Sequence, residues 1–246
     1  STGAVVITDD DGIKWDEYTL TTSADGAYDV HVADMDSDGD MDIVASSIHD
    51  DTIRWFENNG DLNPTWTTAT IATNADYLRE ITVADLDGDG DLDILSASMT
   101  DNTIAWYEND GAADPTWAAA DIATTAEYAH DVQVADLDGD GDLDVVSASV
   151  NDDTIAWYEN DGAANPTFTA ADIATSADGA TSVFLVDLDS DGDIDILSSS
   201  IIDDTIAWDE NDGASNPSFT AVDIATNVDG AYHVYARDMD ADGDID

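Results

Sequence analysis

The sequence predicts an all-β fold, a five-bladed β-propeller of four-stranded blades, and three observations predict it. An aspartate-rich loop recurs at Asp34, Asp85, Asp136, Asp187 and Asp238, 51 residues apart each time. Between successive loops lie four short strand-like segments punctuated by Gly, Pro, Asn and Asp, and a four-strand unit of about 40 to 50 residues is the signature of a propeller blade. No segment shows a 3.6-residue apolar period, so no helix is expected.

The third repeat serves as the template. Residues 129–135 (AHDVQVA) alternate into the loop, 145–150 leave it, 153–159 (DTIAWYE) follow, and 168–175 (FTAADIAT) close the unit. Blades are expected over 27–77, 78–128, 129–179 and 180–230. Residues 231–246 read as a first strand and its loop, and 1–26 as the three strands such a unit lacks (4–8, 12–17 and 18–23). Pairing the N-terminal strands with the C-terminal strand would build a composite fifth blade and close one domain over 1–246 with no bare edges. Trp15, Trp55, Trp106, Trp157 and Trp208 fall at one position per repeat and are expected to pack between blades, with Trp66, Trp117, Phe168 and Phe219 on the outer strands.

Each loop places five acids on alternate positions, an arrangement that repels itself unless a cation sits among them, and hard carboxylate oxygens suit Ca²⁺. Five Ca²⁺ sites are expected. In the first, Asp34, Asp36, Asp38 and Asp42 would bind through side chains and Asp40 through its backbone carbonyl, with Gly39 permitting the turn. The same roles, with the backbone ligand always fourth, fall on Asp85, Asp87, Asp89, Asp91 and Asp93, and on Asp136, Asp138, Asp140, Asp142 and Asp144. They fall again on Asp187, Asp189, Asp191, Asp193 and Asp195, and on Asp238, Asp240, Asp242, Asp244 and Asp246. An EF-hand is excluded, because position twelve is Ala45, Ser96, Ser147 or Ser198 instead of Glu, and the flanks are strand-like.

Fifty-eight acids against four Lys plus Arg give a formal charge of -54, and five Ca²⁺ would offset only ten of those charges. Self-repulsion of this size is tolerable where salt screens it to about 3 Å, so an extreme halophile is expected. The same field disfavours nucleic acid as a partner. There is no cysteine, hence no disulfide or thiolate chemistry, and no apolar run long enough for membrane insertion. The chain starts at Ser1 and ends on a loop ligand, and the expectation is a monomeric domain of a larger protein.

The segments ADLDGDGDLDVVSAS (135–149) and DTIAWYENDG (153–162) resemble the FG-GAP/VCBS class of repeats, of the integrin alpha-like calcium-binding propeller type. The resemblance covers essentially the whole chain. It implies a propeller whose aspartate loops join the innermost strand of each blade to the next and bind Ca²⁺, in an extracellular or cell-surface protein that mediates adhesion or recognition. Familiar members have seven blades, whereas five are counted here.

On the face opposite the loops the repeats diverge. Six residues before each loop stand Tyr28, Arg79, His130, Thr181 and Tyr232, and five before stand Asp29, Glu80, Asp131, Ser182 and His233. Tyr28, Arg79, His130, Tyr232 and His233 are the candidate binding residues for a glycan or another surface protein. No Ser/His/Asp or Cys/His constellation is arguable, and no catalytic activity is expected. Two alternatives stand beside this reading. Asp29, Glu80 and Asp131 resemble the inner-strand carboxylate trio of five-bladed glycosidases, and a purely structural spacer needs no site at all. Thr8, Asp10, Gly12 and Trp15 loosely resemble the aspartate box of sialidases, which is itself structural.

Overall fold

The computed structural model describes residues 19–245, which form four antiparallel sheets of four strands each, with no helix among the described residues. The first sheet is β1 (Ala27–Ala33), β2 (Asp42–Ser47), β3 (Thr52–Asn58) and β4 (Trp66–Ala72). The second is β5 (Leu78–Ala84), β6 (Asp93–Ser98), β7 (Thr103–Asn109) and β8 (Trp117–Ala123). The third is β9 (Ala129–Ala135), β10 (Asp144–Ser149), β11 (Thr154–Asn160) and β12 (Phe168–Ala174). The fourth is β13 (Ala180–Val186), β14 (Asp195–Ser200), β15 (Thr205–Asn211) and β16 (Phe219–Ala225). Every sheet is a meander in chain order, so each matches one repeat and the template strands hold to within a residue or two.

Among the described residues the expected five-bladed, closed ring does not form. There are four sheets, and residues 231–245 contain no strand. The physical reason lies in where a first strand gets its ladder. β1, β5, β9 and β13 each pair with the hairpin strand that follows their loop. Residues 231–237 (AYHVYAR) carry the same alternation, but no hairpin strand for them exists among the described residues. They lie against β13 without a strand ladder, through contacts such as the Phe184–Tyr235 ring pair at 4.7 Å and the Thr181 hydroxyl on the Ala231 carbonyl at 3.4 Å. No strand precedes the first sheet among the described residues. Val30 is 60 % exposed, whereas its equivalents Ile81 and Val132 are fully buried. The expected strands at 4–8 and 12–17, the start of 18–23, Trp15 and the loose aspartate box lie outside the described residues.

The core is made between sheets. Three apolar clusters fill the three spaces between four consecutive sheets, each combining the middle strands of one with the first strand of the next. Trp55, Trp106 and Trp157 are buried there and Trp208 half-buried, which assigns the one-per-repeat tryptophans to packing. Trp55 meets the edge of Trp117 at 6.5 Å and Trp157 that of Phe219 at 6.4 Å, so the outer strands supply the second ring. Polar staples add to this. Asn109, Asn160 and Asn211 each donate an amide N–H to a loop carbonyl of the preceding sheet, those of Met35, Leu86 and Leu137, at 2.8–2.9 Å.

Candidate functional site

The aspartate loops share one geometry. In the first, Asp34 accepts the Gly39 N–H at 2.9 Å and the Asp38 N–H at 3.1 Å, while Asp38 accepts the Asp40 N–H at 2.9 Å. The glycine and alternate-carboxylate bonds recur in loops two, three and four, and again around Asp238, where Gly243 donates at 3.0 Å. This last loop adopts the shape with no strand beside it among the described residues, so the fold of the loop is local. Gly39, Gly90, Gly141, Gly192 and Gly243 all have φ near +100°, as the expected turn requires. Position four is left-handed as well: Gly88 and Gly139 take it freely, whereas Ser37, Ser190 and Ala241 adopt it at φ of 60 to 65°.

The five acids of a loop are not equivalent. The fifth, Asp42, is fully buried, and its two oxygens accept the backbone N–H of Met35 at 3.1 Å and of Asn58 at 2.8 Å. Asp93, Asp144 and Asp195 do the same for Leu86 and Asn109, Leu137 and Asn160, and Leu188 and Asn211. This residue therefore ties the loop to the end of the third strand whatever else it binds. Burial pushes Asp93 and Asp144 up to about 6, against the pull of those N–H groups. The Trp106 and Trp157 indole N–H groups lie near enough to lower these values, although neither is in hydrogen-bond geometry. The fourth acid turns outward: the carboxylates of Asp40, Asp91, Asp142 and Asp193 lie over Gly60, Gly111, Gly162 and Gly213, where any side chain would collide with them.

The remaining acids suit a hard cation. Ligand oxygens of Asp34, Asp36 and Asp42 lie within 4.8 Å of one another, and so do those of Asp85, Asp87 and Asp89, of Asp136, Asp138 and Asp140, and of Asp187, Asp189 and Asp195. That separation is about the diameter of a Ca²⁺ coordination sphere with 2.4 Å bonds. Asp85 Oδ1 is buried without a hydrogen-bond partner, an orphan that a cation would satisfy. Burial and the neighbouring carboxylates raise Asp36, Asp87 and Asp138, the response of acids crowded without a counter-charge. The donor set therefore fits Ca²⁺. Asp246 lies outside the described residues.

On the opposite face, the divergent residues meet. A β-bulge interrupts the register of every first strand, leaving Arg79, His130 and Thr181 as the extra residues and setting Tyr28 and Asp29 against Ser46 alone. Bulges re-aim side chains, and here they bring different repeats together. Arg79 Nη1 donates to the Tyr28 hydroxyl at 3.0 Å. His130 Nδ1 lies 2.7 Å from the Thr181 carbonyl and Nε2 2.9 Å from the Tyr232 hydroxyl, with the two rings edge to face at 5.2 Å. Tyr232 in turn reaches Tyr28. His233 Nδ1 sits 2.9 Å from the Ser182 hydroxyl, one layer further in.

That inner layer holds Asp29, Glu80 and Asp131. Asp29 accepts the Ile81 N–H at 3.1 Å and Asp131 the Val183 N–H at 2.9 Å, so each staples its own sheet to the next. Burial opposes ionisation of Asp29, but His31, 3.5 Å away, and the Ile81 bond prevail and hold it below the usual range. Glu80 makes no such bond, and burial followed by the charges of Asp131 and Asp29 pushes it up to about 9. Asp29, His31 and Glu80 also bring ligand atoms within 4.8 Å of one another.

Sequence reasoning missed Tyr77 and Tyr128. Both hold left-handed backbone, at φ of 58° and 67°, at the position where the other repeats have Gly26, Gly179 and Gly230. A tyrosine in a glycine slot was the readable signal.

Comparison with known proteins agrees with the repeat reading. The model of FG-GAP-like repeats matches residues 34–96, 85–147 and 136–198. Among solved structures, the V. cholerae biofilm matrix protein Bap1 superposes with a TM-score of 0.51 at 21% identity, over 86% of this chain and 30% of that one. The chain thus spans less than a third of that protein's length. No curated protein sequence matches.

Proposed function

Since the chain belongs to the FG-GAP-like repeat family, we propose that it is a Ca²⁺-stabilised, non-catalytic recognition module of an extracellular or cell-surface protein, engaging a glycan or a surface protein through Tyr28, Arg79, His130, Tyr232 and His233. The observation that carries this reading is the convergence of side chains from separate repeats on one bulged, half-exposed belt, while the loops on the other face stay alike. The superposition on a biofilm matrix protein is consistent with a surface role. Ca²⁺ would be held by the first three acids of each loop together with the fifth, and would neutralise a cluster that otherwise opposes folding. A charge of -54 with Arg54–Asp50 as the only Arg or Lys ion pair among the described residues is consistent with a molar-salt habitat. No helix among the described residues is long and apolar enough to cross a membrane.

The glycosidase-like alternative is weakened by the inner layer. Asp29 and Asp131 are both occupied as staples, which leaves Glu80 without a free carboxylate to act as its base or nucleophile partner. The test of recognition is a glycan array and surface-protein panel in molar salt with Ca²⁺, repeated with Tyr232→Ala and Arg79→Ala. Binding lost in both variants is expected. Binding that neither variant alters would remove the belt from consideration, and glycan cleavage lost in Glu80→Gln would favour the enzyme.

A further inference from the structure

Arg79 is anomalous in its surroundings. With 58 acids and four Lys plus Arg in the chain, a cation should find a carboxylate, and Arg54 does, at 2.7 Å from Asp50. Arg79 makes no ion pair among the described residues. Its guanidinium is instead held between two aromatic rings, with Cζ 5.2 Å from the Tyr28 centroid and 5.0 Å from that of Tyr77. Nε points to the Met99 sulfur and Nη1 to the Tyr28 hydroxyl, and Nη2 has no protein partner among the described residues.

The neighbouring polar groups are already committed in one direction. The Thr181 carbonyl can only accept, so neutral His130 carries its proton on Nδ1 and accepts at Nε2 from the Tyr232 hydroxyl. Burial, with the Arg79 charge as a lesser cause, lowers His130 to about 4, which keeps it neutral. Tyr28 holds an N–H from Arg79, and Tyr232 lies beside it. Arg79 thus bonds Tyr28, while Tyr232 bonds His130 and His130 bonds Thr181, and the donor still available beside them is the guanidinium Nη2. Around it stand the half-exposed rings of Tyr28, Tyr128 and Tyr232, 43%, 36% and 48% accessible.

Backbone strain also falls at this place. Tyr77 and Tyr128 hold positive φ where three repeats use glycine, at a cost of about 1–3 kcal/mol each that the fold alone does not require. Tyr77 is one of the two rings stacked on Arg79.

We propose that the Arg79 edge, framed by Tyr28, Tyr77, Tyr128 and Tyr232, is a subsite for the carboxylate of an acidic sugar residue. A guanidinium with no carboxylate partner and its Nη2 open matches a carboxylate, and flat half-exposed rings match the apolar face of a pyranose better than they match a flexible acidic peptide. The assignment rests on the belt being the recognition surface and specifies its ligand.

The experiment is calorimetric titration of this chain, in Ca²⁺ and high salt, with a galacturonic acid trimer, its carboxyl-reduced neutral counterpart and an acidic peptide. The acidic trimer is expected to bind, with affinity falling at least tenfold on carboxyl reduction or in Arg79→Gln. Tyr77→Gly should weaken binding severalfold while its melting temperature stays level or rises, which separates lost recognition from lost folding. Equal binding of the neutral trimer, or wild-type affinity in Arg79→Gln, overturns the carboxylate assignment and leaves the belt standing. Preference for the peptide overturns the sugar assignment. Failure of all three probes, together with a belt-independent array result, overturns both.

Discussion

The two faces of the sheets obey opposite rules. On the loop face, Asp42, Asp93, Asp144 and Asp195 make the same pair of backbone bonds in each sheet, because each loop must solve an identical local problem. On the belt face, Tyr28, Arg79, His130, Thr181 and Tyr232 occupy equivalent positions, yet all differ in chemistry apart from the two tyrosines, because they meet one another. Repetition marks residues that serve their own repeat, and divergence marks residues that share one environment. Stability should therefore reside on the loop face and recognition on the belt.

Among single substitutions, Asp144→Ala should have the largest effect. It orphans the buried N–H groups of Leu137 and Asn160, worth about 1–3 kcal/mol each, and should lower Tm by roughly 10 °C or more in a chain of this size. Arg79→Gln, melted in parallel, should stay within about 2 °C of wild type. Equal losses in the two variants would erase the division between the faces.

Glu80 sharpens the comparison, since it is a belt-side acid that burial penalises and no backbone N–H offsets. Its pKa in the fold is about 9 against an ordinary 4.5, so the folded chain binds this proton more tightly than the unfolded one. The stability this confers is complete below pH 4.5 and is lost as pH rises towards 9. Asp29, Asp131 and His31 are the titratable groups around it. Glu80→Gln should melt with wild type near pH 4 and several degrees above it at pH 8, as a pH series of thermal melts would show. Coincident curves at pH 8 would mean that Glu80 ionises freely.

The smallest effect belongs to position four of the loops. Ser37→Gly relieves a left-handed serine at φ 60° and should raise stability by about 0.5–1 kcal/mol, read by chemical denaturation, whereas Gly88→Ser should lose a similar amount.

The sixteen strands were legible because turn chemistry brackets them: Asn160-Asp161-Gly162 and Asn165-Pro166 end one strand and start the next with no help from tertiary context. The composite fifth blade was misread for the complementary reason. AYHVYAR has the alternation of AHDVQVA, but a strand exists only when its ladder does, and pairing is not a property of one segment. Loop acids were legible as a class, whereas their division of labour was not. The role of Asp144 as a hub depends on Asn160 returning to it across a hairpin, and that of Asp142 on the glycine beneath it. The belt showed itself only as divergence. Its convergence depends on bulges at Arg79 and His130, which alternating patterns conceal.

The Ca²⁺ dependence of the melting temperature is the most direct test of the account. Each occupied site should add about 2.7 kcal/mol when free Ca²⁺ is a hundred times its Kd. Wild type and Arg79→Gln should therefore both fall by ten degrees or more in EDTA and recover together as Ca²⁺ is restored. A melt that chelation leaves unchanged would contradict it.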